Sequence, residues 1–189
     1  MRLRIQKNRL FVALILLLLT GCATTRFQPV SGIHNTEDRY TIVRTDSLLI
    51  AVRPQSYIGS FESANSRFFP IYVRIRNLTA SKQGIDKSSF SILSNGLQYD
   101  YIPLEYILGS MQNMTLFEEL QNPFERDTAL AARREKDQDN YFELLSRYLN
   151  FSDILPGVVK EGYLFYDRDL WQSNQIAIDV LGHLVQYKK

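Results

Sequence analysis

A run of strict period-two alternation at residues 68–76 (FFPIYVRIR) constrains the fold of this chain more than any other feature. Ile71, Val73 and Ile75 fall on one side of an extended segment, and Tyr and Arg residues fall on the other. A strand with one apolar and one polar face belongs to a sheet that is buried on one side and solvated on the other. The chain is therefore expected to build its core from antiparallel strands.

Further strand-like segments follow at short spacing. The ranges that alternate, or that are rich in β-branched and aromatic residues, are 47–53, 90–93, 97–101, 162–167, 175–181 and 183–187. Asn95-Gly96 separates two of them and favours a type I′ hairpin turn, because both residues tolerate a positive φ. Short, half-buried strands joined by turns predict a mainly β fold, an antiparallel β-sandwich.

One stretch, about residues 117–150, departs from this pattern and is predicted to be a helical insertion. Asn122 is a suitable N-cap, with Pro123 at the first helical position and Glu125 three residues after the cap. Nine of the sixteen residues at 125–140 are charged, so the middle of the helix is expected to stand in water.

The two ends of this helix are expected to pack on the domain. A weak apolar stripe passes through Phe124, Phe142, Leu145 and Leu149, and the better C-terminal face is formed by Tyr141, Leu144, Leu145, Tyr148 and Leu149. A break near residues 139–140, with Asn140 and Glu143 as a second cap, stays open. An ordinary solvated connection is preferred over a dedicated docking helix, because charge runs usually mark exposed faces.

Three motifs resemble those of uncharacterised immunoglobulin-like domains in exported bacterial lipoproteins. They are a strand that ends in Asn77, the strand pair around Asn95-Gly96, and Leu155-Pro156-Gly157 before the Gly-aromatic segment 162–166. This resemblance spans about residues 46–182 and implies an immunoglobulin-like sandwich, although the helical segment is not part of the usual family pattern.

A second resemblance is to the small β-sandwich lipoprotein of type VI secretion, which tethers a membrane complex to the outer membrane. It is carried by Pro70, Val73, Arg74 and Ile75. Neither family supplies catalytic residues.

The first 22 residues carry a separate signal. A ten-residue apolar run (10–19, LFVALILLLL) follows four cations, Arg2, Arg4, Lys7 and Arg9. Ten helical residues extend about 15 Å, roughly half of the hydrocarbon core of a bilayer, so the run is too short for a stable transmembrane anchor. The pattern is typical of a secretory signal peptide.

Leu19-Thr20-Gly21-Cys22 resembles the bacterial lipobox, and Cys22 is the only cysteine in the chain. The resemblance implies that a signal peptidase recognises Leu19, Thr20 and Gly21 and removes residues 1–21. It also implies that Cys22 carries an S-linked diacylglycerol and an N-linked acyl chain, which together bind the lipid bilayer stably. An ordinary signal peptide with a chance cysteine is the alternative.

Ala23 follows the cysteine, where enteric lipoproteins that are retained at the inner membrane have Asp. It therefore implies an outer-membrane anchor with the domain facing the periplasm. Residues 22–40 are rich in small and polar residues and are predicted to be a flexible tether, in which His34 is solvated. The β-sandwich domain is expected to span 41–189, including the insertion at 117–150.

Composition excludes several classes of function. One cysteine and two histidines do not suffice for a Cys-rich or His-based metal centre. Without the four cations before Cys22, 18 basic residues stand against 20 acidic ones, so no nucleic-acid surface is expected. The chain has no nucleophile elbow, zinc-protease motif, phosphate loop or calcium loop. No catalytic, cofactor or metal site is therefore predicted.

Asp167 and Asp169 are the strongest remaining candidates for chemistry, because on a strand they would share a face and could bind a cation. A turn or salt-bridge role is the preferred interpretation of this pair. Asp100 and Glu105 are comparably weak candidates, and His183 is interpreted as a partly buried structural histidine.

The sequence therefore favours a non-enzymatic envelope lipoprotein whose domain binds another envelope protein or supports an assembly. A type VI secretion-like tether and a hydrolase that uses Asp167, Asp169 or His183 are the alternatives. Tyr and Phe clusters at 68–69, 99–106 and 163–166 are expected mostly to fill the core, while an outward Tyr would suit a partner or glycan surface.

Overall fold

The computed structural model describes residues 26–30, 35–37, 39–61, 63–110 and 127–189. The predicted signal peptide, the lipobox-like residues Leu19 to Cys22, His34 and the predicted helix start at 122–125 lie outside these ranges.

The described strands form two five-stranded antiparallel sheets. Sheet A contains, in spatial order, β1 (Gln28–Pro29), β10 (His183–Lys188), β9 (Gln175–Val180), β6 (Phe90–Ser94) and β7 (Leu97–Asp100). Sheet B contains β2 (Asn35–Glu37), β3 (Tyr40–Arg44), β4 (Leu48–Pro54), β5 (Phe68–Asn77) and β8 (Val159–Asp167). The helical segments are α1 (Ala64–Arg67), the 3-10 turn η1 (Lys87–Ser89), α2 (104–110), α3 (Asp127–Arg147) and the 3-10 turn η2 (Arg168–Gln172).

This arrangement confirms the predicted mainly β, antiparallel sandwich. In β5 the side chains of Ile71, Val73 and Ile75 are buried. The predicted hairpin turn is also confirmed, since Asn95 and Gly96 have φ angles of 51° and 78°.

The inner faces of the two sheets share a hydrophobic core that includes Ile50, Phe69 and Ile92. Tyr187 of sheet A is fully buried in it, and its hydroxyl bridges to sheet B. This hydroxyl accepts a hydrogen bond from Thr41 N at 3.1 Å and donates one to Val52 O at 2.5 Å. Burial raises the pKa of Tyr187 to about 12, so the bridge keeps its proton at physiological pH.

The fold begins earlier than the sequence indicates. Phe27 lies in the segment assigned to the tether, yet it is only 4% exposed and packs edge-on against Phe69 at 5.6 Å. β1 pairs with β10 through Gln28 and Lys188, and β2 pairs with β3. These strands of two to five residues are too short to display a convincing alternation, which explains why the polar composition suggested a tether up to residue 40.

The outer face of sheet B is covered by a helical layer. β8 is buried on both sides, because Leu164 and Tyr166 face the inter-sheet core while Tyr163 and Phe165 face the helices. The outer cluster consists of Tyr57, Phe61, Ala64, Phe68, Ile107, Leu144, Tyr163 and Phe165. The sandwich is therefore three layers thick along β5 and β8.

The C-terminal part of α3 docks on this layer. Leu144 and Leu149 are buried as predicted, and the middle of the helix is exposed at Glu135 and Lys136. The prediction was wrong for Phe142 and Leu145 of the apolar stripe, which are 57% and 46% exposed. The helix continues through 139–140 without a break, so the second cap that the sequence left open is not formed.

Candidate binding groove

The residues that the sequence offered for catalysis are not brought together. Asp167 and Asp169 flank the start of η2, where Asp167 Oδ1 accepts a hydrogen bond from Asp169 N at 2.9 Å. This is the turn role that the sequence favoured. Both side chains are exposed.

His183 lies at the opposite end of the sandwich. It pairs with Val180 at one end of β9, while η2 leads into Gln175 at the other end. A six-residue strand separates the two ends by about 17 Å. His183 is exposed, which corrects the prediction of a partly buried histidine. By strand alternation His183 lies on the same face of β10 as the buried Val185 and Tyr187. It is exposed because it is the first residue of the strand, next to the turn at 181–182.

A groove of about 350 Å³ opens beside the outer edge of β8. It is lined by two segments that are far apart in sequence, and the lining residues are Tyr101, Pro103, Leu104, Glu105, Leu145, Tyr148, Leu149, Asn150, Phe151 and Ser152. Each segment is hydrogen-bonded to β8: Ile102 N donates to Phe165 O at 2.7 Å, and Leu149 N donates to Tyr163 O at 3.0 Å. The edge of one strand therefore aligns both walls.

Gly162 makes this alignment possible. A Cβ atom at this position would lie 2.7 Å from Leu149 N and 2.8 Å from Arg147 O. Only glycine lets the chain that leaves α3 approach β8 closely enough to pair with it.

The groove has aromatic walls and few ionisable groups. The rings of Tyr101 and Phe151 lie 5.4 Å apart, and the Tyr148 hydroxyl donates to Ile102 O at 3.1 Å. Burial is the main cause that raises the pKa of Tyr148 well above its ordinary value. The pKa of Tyr101 is also raised, first by burial and then by the charges of Glu105 and the nearby Asp86 and Asp100.

This chemistry suits binding. Both phenols stay protonated at physiological pH, and they offer flat apolar faces with one polar tip. Glu105 contributes a carboxylate at the rim, while Asp100 is exposed and accepts from Gln98 Nε2 at 3.0 Å. Such a site fits an apolar side chain that is accompanied by a positive charge.

The sequence did not indicate this groove. The sequence assigned the Tyr and Phe clusters at 68–69, 99–106 and 163–166 mostly to the core, and Phe68, Phe69, Tyr163, Phe165 and Tyr166 do lie there. Tyr106 differs, because it is 68% exposed on α2. The only available signal was the aromatic spacing around Tyr101, which does not reveal that Phe151 would lie opposite.

Glu143 fastens α3 to the loop that follows β4. Its carboxylate accepts hydrogen bonds from Ser60 N at 2.6 Å and from the Ser60 hydroxyl, and it forms an ion pair with Arg147 at 2.7 Å. These contacts, the Ser60 hydroxyl bond above all, lower the pKa of Glu143 below its ordinary value of 4.5.

We expect Glu143→Gln to lower the free energy of unfolding by about 1 kcal/mol at neutral pH, because two charge-assisted hydrogen bonds become neutral ones. A carboxyl group with a depressed folded-state pKa stabilises the fold above its unfolded-state pKa, and this contribution disappears as the pH falls through the folded-state value. Denaturant unfolding should therefore show a difference at pH 7 that shrinks below pH 4.5. Glu135→Gln, on the exposed middle of α3, is the control and should leave stability unchanged at both pH values.

The described part of the chain contains neither a membrane-spanning helix nor a metal-binding cluster. None of its helices has the length and apolar character needed to cross a membrane. Within the same ranges, no group of His, Cys, Asp and Glu side chains is placed to hold a metal ion.

Comparisons with known proteins give only weak likenesses, to two solved structures. No known protein family matches the chain, and no curated protein matches it. A Bacillus subtilis protein (ycdA), described as a candidate lipoprotein, is 13% identical with a TM-score of 0.36, over 78% of this chain and 38% of that one. A Listeria monocytogenes protein of unknown function is 10% identical with a TM-score of 0.37, over 80% of this chain and 75% of that one. Similarities of this size establish no shared function.

Proposed function

We propose that this protein is a non-enzymatic bacterial envelope lipoprotein, anchored to the bilayer through acylated Cys22, whose domain binds another envelope protein. The proposed membrane is the outer membrane, with the domain in the periplasm, because Ala23 follows the cysteine. The observation that carries the proposal is the position of the one cysteine, at the end of the lipobox-like Leu19-Thr20-Gly21-Cys22. The position of the first core residue also supports an anchor at Cys22. Phe27 lies in the core only five residues after Cys22, so an acylated Cys22 would hold the domain close to the bilayer.

The groove is the proposed binding surface. Leu145 lines it, and Phe142, three residues earlier on the same helical face, is 57% exposed. Exposed apolar side chains beside an aromatic cleft are typical of a surface that a protein partner covers. The carboxylates of Glu105, Asp100 and Asp86 favour a partner segment that pairs an apolar anchor with Lys or Arg.

The anchor is tested by Cys22→Ser. Fatty-acid labelling should be abolished, and the protein should move from the membrane fraction to the soluble fraction, because the acyl chains have no other attachment point. Thr24→Ala, outside the lipobox, is the control and should label normally. A wild-type protein whose intact mass shows no acyl chains, or whose mature form begins elsewhere than Cys22, would falsify the proposal.

The binding role is tested by Leu145→Glu. In crosslinked envelopes the wild-type protein should give one stoichiometric protein adduct, and the variant should lose it because a carboxylate replaces an apolar side chain of the aromatic groove wall. The matched control is Leu184→Glu in β10, whose side chain has nearly the same exposure. Equal adduct yields from the two variants would remove the groove from the binding surface.

A further inference from the structure

We propose that the end of the sandwich where the chain enters the fold rests on the anionic headgroups of the bilayer. This entry end is defined by Arg26, Leu97, Arg168 and Lys188. The inference rests on the proposed function, because acylation at Cys22 is what brings the bilayer to this end.

The length of the intervening chain limits the distance to the lipid. Three residues lie between Cys22 and Arg26, and the four Cα–Cα steps of this connection span at most about 14 Å when fully extended. The chain is then fixed, because Phe27 is buried against Phe69 and Gln28 pairs with Lys188. The entry end therefore cannot move far from the membrane without loss of core contacts.

The strand register brings the other residues to this end. Lys188 pairs with Gln28 on one side and with Gln175 on the other. The Ser94 hydroxyl donates to Ser173 Oγ at 2.8 Å, and this bond keeps the tip of the β6–β7 hairpin close to the start of β9. Leu97 follows this tip and therefore lies at the entry end. On sheet B, η2 belongs to the same end, since Trp171 Nε1 donates to Phe68 O at 2.9 Å.

The charges of this end complement an anionic surface. Arg26, Arg168 and Lys188 are exposed and form no ion pair within the described ranges. Among the residues whose exposure the structure describes, the exposed acids at this end are Asp167 and Asp169, and the adjacent Lys189 adds a fourth cation. Basic residues held close to a bilayer are attracted to anionic lipids. Leu97, 59% exposed at the hairpin tip, adds an apolar contact at the headgroup level.

The opposite end also exposes apolar side chains, but it cannot be the lipid-facing end of an upright domain. Leu155 and Val158 flank the turn that precedes β8, next to Asn77 at the far end of β5. The ten residues of β5 span about 31 Å. That length is more than twice the reach of the connection between Cys22 and Arg26, so this tip points away from the bilayer.

The test uses the full-length acylated protein in two kinds of vesicle, phosphatidylcholine alone and phosphatidylcholine with phosphatidylglycerol, each with nitroxide-labelled headgroups. Trp171 is the only tryptophan in the chain and lies in η2 at the entry end, so its fluorescence reports contact directly. We expect at least twofold stronger quenching in the anionic vesicles. High salt, or Arg168→Glu with Lys188→Glu, should reduce quenching to the value in neutral vesicles.

Two controls fix the orientation. Arg76→Glu with Lys82→Glu, toward the opposite end, should leave the quenching of Trp171 unchanged. Leu155→Trp should add fluorescence that the labelled headgroups do not quench. Quenching of that added tryptophan, or equal quenching of Trp171 in both vesicles, overturns the inference while the protein still carries acyl chains. Absence of acyl chains and of vesicle binding instead overturns the proposed function.

Discussion

Gly162→Ala should detach the end of α3 from β8 and lower the free energy of unfolding by about 2–3 kcal/mol. The added methyl group would lie 2.7–2.8 Å from backbone atoms of Arg147 and Leu149. Backbone atoms cannot rotate away as a side chain can. The hydrogen bond from Leu149 N to Tyr163 O, 3.0 Å long, must therefore lengthen or break.

Hydrogen exchange and denaturant unfolding measure this effect. Exchange should become faster at Leu144, Tyr148 and Leu149, and the midpoint of unfolding should fall. Gly109→Ala in α2 is the matched control, because nothing lies within 4 Å of the Cβ position and alanine favours the helix. Unchanged exchange at Leu149 in the Gly162 variant would show that the close approach does not hold α3 in place. Because Leu149 forms part of one groove wall, the same variant should also abolish the crosslinking proposed for a partner at the groove.

Asn77→Asp should destabilise the domain by about 3–4 kcal/mol, although the side chain keeps its size. Asn77 is buried at the end of β5, and its Nδ2 donates to Ser81 O at 2.7 Å and to Ile154 O at 2.9 Å. A carboxylate has no hydrogen to donate, so two carbonyl oxygens would face a buried negative charge. The Oδ1 contacts with Thr79 N and Oγ1, at 2.8 and 2.9 Å, could persist.

A pH series separates this effect from a simple loss of packing. Protonation of the introduced carboxyl restores one donor, so the difference from wild type should shrink in acid. Asn150→Asp is the matched control, because Asn150 is exposed and its Oδ1 only accepts, from Ser152 N at 2.9 Å. A pH-independent loss of stability in the Asn77 variant would contradict the hydrogen-bond explanation.

Local sequence patterns were sufficient to predict most of the strands. β5 was predicted from its alternation, and the β6–β7 hairpin from Asn95-Gly96, because both signals depend only on neighbouring residues. The same reasoning did not find β1 to β3, whose short segments depend on partners such as β10 and β4 rather than on their own composition. The same reasoning predicted that Leu145 is buried and His183 partly buried, but both side chains are exposed.

The groove could not be predicted from local sequence patterns, for a related reason. Its walls are about 45 residues apart in the sequence, and they meet because Ile102 and Leu149 both hydrogen-bond to β8. In the sequence nothing distinguishes Gly162 from the other eight glycines. Its importance comes from the backbone atoms that approach it, and no single-sequence signal identifies those.

The amino-acid sequence by itself determined that the chain forms antiparallel strands with a helical segment, and it placed the one cysteine at the end of the lipobox-like residues 19–22. Both features are local, since they depend on alternation, turn residues and the order of short segments. The tertiary structure alone decided that helices cover β8, where the chain enters the sandwich and which aromatic side chains line a groove. Those outcomes depend on contacts between distant segments, and such contacts are set by how layers pack and which backbone hydrogen bonds remain to be satisfied.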